Sequence, residues 1–184
     1  MTVRKSFSLN HLGLHVRDLA AMKDFYTRVF EFTVTDEGAL PTPQGPVNIV
    51  FLSRDPEIHH QLALIQARPE HVEFNVINQI SLLADSLDTL LGAYRRLIVE
   101  EKRPARSLSH GNALSFYFHD PDGNRLELFW NTPWYVTQPM VKEMSFEQSP
   151  EALMAEAEAH AKGLPGFKPR AEWIDEMKKR MDVA

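Results

Sequence analysis

The chain contains a repeat of itself, and that repeat limits the folds open to it. Asn10-His11-Leu12-Gly13-Leu14-His15 is mirrored by Asn78-Gln79-Ile80-Ser81-Leu82-Leu83, and Arg17-Asp18-Leu19 by Asp85-Ser86-Leu87. The offset is about 68 residues, so one supersecondary unit is used twice. In the first copy, residues 8–17 alternate as a half-buried strand does: Leu9, His11, Gly13 and His15 share one face, Leu12, Leu14 and Val16 the other. Asp18 can cap a helix that Leu19, Met22, Phe25, Tyr26 and Val29 continue to about Phe30. Strands are expected at residues 32–35, 47–52 and 59–65, with 38–46 as a Gly- and Pro-containing loop. In the second copy Leu87, Leu90, Leu91, Tyr94 and Leu97 follow helical spacing, and a hairpin closes the unit. A short extra strand at 72–76 is expected in the connection. The reading is an α+β fold of two tandem βαβββ modules, residues 1–68 and 69–133. Their curved mixed sheet surrounds a cleft, and residues 134–184 form a C-terminal helical extension.

The closing hairpin places the first chemically informative groups. Asp120-Pro121-Asp122-Gly123 has turn chemistry: Pro fixes φ at the second position and Gly tolerates positive φ. Leu126 and Leu128 share one face of the following strand, so Glu127 points to the other. A hairpin folded at Pro121-Asp122 brings Tyr117 opposite Glu127, with His110 close by. In the extension, Ser149-Pro150 opens a helix that Gly163 stops. A last helix from about Arg170 carries a stripe of Trp173, Met177 and Met181, read as docking surface on this subunit or a twin.

Composition narrows the function classes. The sequence has 184 residues, 43% of them apolar, enough for one sizeable core. A net charge of −5, with no extended Lys/Arg run, argues against nucleic acid as the main partner. No apolar stretch approaches membrane-spanning length. The first ten residues lack the apolar region of a signal peptide, so a cytoplasmic protein is expected. There are no cysteines, which removes disulfides, thiolate ligands and a Cys nucleophile. Any metal must be held by imidazole, carboxylate or amide oxygen.

Four spaced positions offer such donors: His11, His59/His60, Gln79 and Glu127. His11 and Gln79 occupy matching places in the two copies, which a duplicated module brings to a pseudo-twofold axis. One imidazole, one amide oxygen and one carboxylate can hold a divalent metal and leave positions open for ligands. Singly, each residue reads as readily as an ordinary packed or surface residue. Their correspondence gives the set its meaning.

Asn10-His11-Leu12 with Asp18-Leu19 and Phe25-Tyr26, and Asp120-Pro121-Asp122-Gly123-Asn124-Arg125-Leu126-Glu127-Leu128, resemble the first and last strands of the vicinal oxygen chelate superfamily. That superfamily includes glyoxalase I, fosfomycin and bleomycin resistance proteins, and type I extradiol dioxygenases. The resemblance covers residues 8–130 and implies that the cleft holds a metal, with His11, Gln79 and Glu127 as ligands. His59-His60-Gln61-Leu62-Ala63 is similar to the HH-x-LA strand of the extradiol branch, which implies His60 as the acid–base residue. Ala63 stands where glyoxalase I carries a further carboxylate ligand. His110 and Tyr117 resemble the His and Tyr that flank the catechol, and the tail resembles that of small one-domain extradiol proteins. The departure is Gln79, where that branch carries a histidine. His71 lies upstream as a substitute, but the frame from Gln79 to Asp85 matches the family pattern and favours Gln79.

The resemblance therefore implies a dioxygenase that uses O2 on a small aromatic, catechol-like substrate, with Fe(II) or alternatively Mn(II), in a homodimer or higher homo-oligomer. Two other readings are carried. One is another superfamily metalloenzyme, an isomerase, lyase or hydrolase. The other is a metal-free protein that binds an aromatic ligand.

Overall fold

The computed structural model describes residues 8–181. The expectation of no leader rests mainly on residues 1–7, which lie outside them. The chain forms two compact units: residues 8–78 with 119–124, and residues 79–118 with 125–181.

In the first unit, β1 (Leu12–His15) leads into α1 (Leu19–Phe30), then β2 (Thr33–Leu40), β3 (Val47–Ser53) and β4 (Leu62–Ile65). The sheet order is β1-β4-β3-β2, with β1 parallel to β4 and the other pairs antiparallel. Asp18 caps α1 as expected, its Oδ1 accepting from the Ala21 amide at 2.9 Å. Met22, Phe25, Tyr26, Val29 and Phe30 form the buried stripe of α1. With Leu14, Val16, Leu52 and Leu64 they make the core of this unit. Each fully buried side chain of this size contributes about 1.5–3 kcal/mol.

Three local expectations are corrected. Residues 38–40 belong to β2 rather than to a loop, because Gly38, Ala39 and Leu40 pair with Ile49, Asn48 and Val47. Cross-strand partners here outweigh the Gly and Pro content of the segment. His59 and His60 precede β4 rather than lying in it. An Asx turn sets the chain there: Asp55 Oδ1 accepts from the Glu57 amide at 2.9 Å, and its carbonyl from the Ile58 amide at 3.1 Å. Residues 72–76 form no strand; among the described residues nothing pairs with them as a ladder partner.

The second unit repeats this plan. β5 (Ile80–Leu83) is followed by α2 (Leu87–Tyr94), which continues as a π-helical turn (Arg95–Glu100). Then come β6 (Arg106–Ser109), β7 (Ala113–His119) and β8 (Arg125–Asn131). The order β6-β7-β8-β5, with β5 parallel to β8, is that of the first sheet, so the repeat read from sequence is a repeat of topology. A short strand β10 (Lys142–Glu143) extends it beside β6. Leu90, Leu91, Leu97, Leu114, Phe116, Phe118 and Leu126 are fully buried, and Phe116 stacks on Phe118 at 5.6 Å between ring centroids.

The extension begins with β9 (Trp134–Tyr135), which pairs with β11 (Lys168–Pro169). Helix α3 (Pro150–Lys162) is capped by Ser149 and ends at Gly163, and it buries Leu153, Ala157 and Ala161. Helix α4 (Arg170–Arg180) seats Trp173 flat on Tyr135, 5.2 Å apart at 10°. The expected stripe thus docks within the chain at Trp173, while Met181 stays half exposed. Among the described residues no helix is long and apolar enough to cross a membrane.

Candidate active site

In the second unit, Glu127 lies in the middle of β8 and is buried, with 7% of its surface exposed. Parallel pairing sets Ser81 of β5 in register with it. Glu127 Oε2 accepts from Ser81 Oγ at 2.6 Å and from Gln79 Nε2 at 2.7 Å. Its Oε1 accepts from the Tyr117 hydroxyl at 2.5 Å. The hairpin thus brings Tyr117 onto Glu127 as its turn chemistry predicts. Gly123 takes φ 81°, and Asp120 Oδ1 accepts from the amides of Asp122 and Asn124 at 3.0 and 2.8 Å.

His110 continues the chain, its Nε2 lying 2.9 Å from the Tyr117 hydroxyl. Its Nδ1 is 3.0 Å from the Met140 carbonyl, which can only accept, so Nδ1 carries a proton. Gly111 fixes the backbone beside it. It sits at φ 74°, and a Cβ there would run into Val136. Its carbonyl accepts from the Trp134 indole at 2.5 Å. Arg125 covers the Tyr117 ring, 4.2 Å from the centroid. Burial, then the Glu127 hydrogen bond, push the Tyr117 phenol up to about 12, so it remains a proton donor at neutral pH. Gln79, Glu127 and Tyr117 therefore form one hydrogen-bonded chain, with the His110 ring in contact at its end. It presents a carboxylate, an amide, a phenol and an imidazole side by side.

In the first unit, His11 is exposed just ahead of β1, and its ring lies 4.4 Å from that of His60. Phe51 meets the His60 ring at 4.8 Å. His59 Nδ1 faces His60 Nδ1 at 2.9 Å, and His59 Nε2 faces Asp36 Oδ2 at 2.8 Å. Partial burial lowers the His60 pKa, and the neighbouring His11 and His59 act in the same direction. All three favour the neutral imidazole, the form that can take a proton. His71 lies in the connection between β4 and β5.

The donor chemistry fits a divalent metal. Gln79 turns its NH2 toward Glu127 and Ser81. Its Oε1, the atom a metal would take, has no hydrogen bond among the described residues. Glu127 offers an oriented carboxylate. Among the described residues no cluster of three or more His, Cys, Asp or Glu could hold a metal.

Two contributors escaped the sequence reading. Ser81 stands two residues after Gln79, and the strand period of two puts both on one face. That signal was available. Asp36 had none, because its place depends on a bulge in β2 between Val34 and Asp36.

The sequence model of the Glyoxalase/Bleomycin resistance protein/Dioxygenase superfamily matches residues 8–128. The chain belongs to this superfamily. Among other superfamily proteins it is 28% identical over 172 residues to biphenyl-2,3-diol 1,2-dioxygenase 2 of Rhodococcus globerulus, covering 84% of this chain and 85% of the relative. It is 30% identical over 125 residues to biphenyl-2,3-diol 1,2-dioxygenase 3 of the same organism, covering 65% of this chain and 61% of that one. The fold matches the crystal structure of a glyoxylase/bleomycin resistance protein/dioxygenase domain from Frankia sp. EAN1pec. That match has a TM-score of 0.56 and 16% identity, and it covers 68% of this chain and 93% of the other.

Proposed function

We propose that this superfamily member is an extradiol-type ring-cleaving dioxygenase acting on a catechol-like aromatic with O2 at a non-haem metal, Fe(II) or alternatively Mn(II). The observation that carries the reading is the Tyr117 hydroxyl held between Glu127 and His110. This places a phenol and an imidazole beside a carboxylate suited to a metal. Relatedness over most of the chain to a biphenyl-2,3-diol 1,2-dioxygenase supports the same reaction class.

In this reading His11, Gln79 through Oε1, and Glu127 are the ligands. When bound, the metal supplies the Lewis acidity that acidifies two vicinal hydroxyls and the open positions that bring substrate and O2 together. His60 would take a catechol proton as general base and return a proton as general acid. Tyr117 and His110 hydrogen-bond a ring oxygen and hold it in one orientation. The protein works as a cytoplasmic homo-oligomer.

Gln79 favours a second reading. An amide oxygen is a weaker donor than imidazole toward Fe(II), which suits a superfamily isomerase, lyase or hydrolase that consumes no O2. A metal-free binder of aromatic ligands is a third outcome of the same test. The full chain is purified anaerobically, loaded with Fe(II) or Mn(II), and screened in an oxygen electrode against catechol and biphenyl-2,3-diol, with Gln79→His alongside. Oxygen uptake by the wild type, with a product heavier by two oxygen atoms, is the expected result. No uptake by either metal-loaded protein overturns the reading. Uptake by Gln79→His alone shows that the native chain has left this chemistry.

A further inference from the structure

We infer that Asp36 and His59 are positioning residues that fix the tautomer of His60 and leave its Nε2 as the bare, proton-accepting nitrogen. The inference rests on the reading of His60 as the acid–base residue. It adds two residues to which the proposed function gives no role.

β2 carries a backbone irregularity. Val34 pairs with Leu52, and Asp36 pairs with Phe51, so Thr35 is an extra residue in β2. In regular pairing Val34 and Asp36 would share a face, and Asp36 would stand opposite Val50 on the buried side of β3. The bulge moves it by one step. Asp36 then shares its face with Phe51, whose ring lies 5.5 Å from that of His59 and 4.8 Å from that of His60. Bulges of this kind re-aim a side chain. Here the carboxylate arrives 2.8 Å from His59 Nε2.

Proton inventory does the rest. A carboxylate only accepts, so His59 Nε2 carries a proton. In neutral His59, Nδ1 is then a lone pair. The 2.9 Å contact between His59 Nδ1 and His60 Nδ1 is a hydrogen bond only if His60 donates. His60 is thereby held as the Nδ1–H tautomer, and its lone pair sits on Nε2. No hydrogen bond among the described residues engages that nitrogen. A free imidazole exchanges tautomers, and Asp36 acting through His59 biases that exchange toward Nδ1–H. The chain of contacts also fixes the plane of the His60 ring against Phe51 and His11. Asp36 and His59 are 69% and 57% exposed, so water competes with the contact and the effect is modest.

Nitrogen-15 NMR of the metal-free full-length protein, above the imidazole titration range, reads the tautomer of each ring directly. The expected result is a proton on His60 Nδ1 and none on Nε2, a shift toward the exchanging mixture in Asp36→Ala, and recovery in Asp36→Glu. A His60 that carries its proton on Nε2 in the wild type, or a tautomer unchanged in Asp36→Ala, overturns the inference. With Fe(II)-loaded enzyme and catechol, Asp36→Ala lowers kcat about 5-fold with KM within about 2-fold, the scale of an exposed charged contact. A loss confined to KM also overturns it. If the wild type takes up no O2, the dioxygenase reading fails, and the NMR result still decides the tautomer.

Discussion

Glu127 receives three hydrogen bonds from Gln79, Ser81 and Tyr117, and this decides which single residues matter to the site. The carboxylate cannot rotate without giving up a donor, so its orientation is set before any metal arrives. Outer contacts of this sort are worth roughly 10–100-fold in metal affinity. Ser81→Ala removes the 2.6 Å donor. It is expected to weaken Mn(II) affinity by about 10-fold in a calorimetric titration, with Ser81→Thr close to wild type because the hydroxyl is kept. Equal affinities in wild type and Ser81→Ala would mean that Gln79 and Tyr117 alone orient the carboxylate. At this scale the sequence was informative about identity. Glu127, Tyr117 and His110 were legible from hairpin geometry and spacing, and they meet as read. Ser81 shares a strand face with Gln79, whereas Asp36 reaches His59 only because a bulge moves it.

Elements were most legible where a boundary is made by local chemistry. Asp18 and Ser149 each accept from a backbone amide in the first turn of their helix, at 2.9 and 3.2 Å, and both helix starts were visible in the sequence. Asp18→Ala leaves that amide without its protein acceptor. It is expected to cost about 1 kcal/mol in urea unfolding, with the slope of the transition unchanged. Elements were least legible where a partner makes them. Residues 38–40 are a strand only because β3 runs beside them, and 72–76 are not a strand because no ladder partner does. His59 and His60 read as strand from composition. The Asx turn at Asp55 holds them just outside it, in the bend where they meet Asp36 and His11.

Over the whole molecule, the repeat was the strongest statement the sequence made. Two sheets with the same strand order, each closed by a parallel pair, are its structural form. Contacts far apart in the chain hold the first unit closed. Arg68 donates to Asp122 Oδ2 at 2.9 Å, with both side chains buried at 6% and 4% exposure. The Arg17 amide donates to Asp122 Oδ1 at 3.1 Å. Asp122→Ala strands a buried guanidinium and is expected to lower stability by about 3–5 kcal/mol in chemical denaturation. A loss below about 1 kcal/mol would show that water reaches Arg68 and takes over its hydrogen bonds. The sequence by itself determined the βαβββ repeat, the helix caps, the closing hairpin and the superfamily, because periodicity, capping and turn chemistry act over a few residues. Only the tertiary structure decided which groups meet around the candidate site residues: the Ser81 hydroxyl at Glu127, the Met140 carbonyl at His110, and Asp36 at His59. Each of these contacts depends on strand register, a bulge or a long-range approach, and such geometry is set by the packing of segments far apart in the chain.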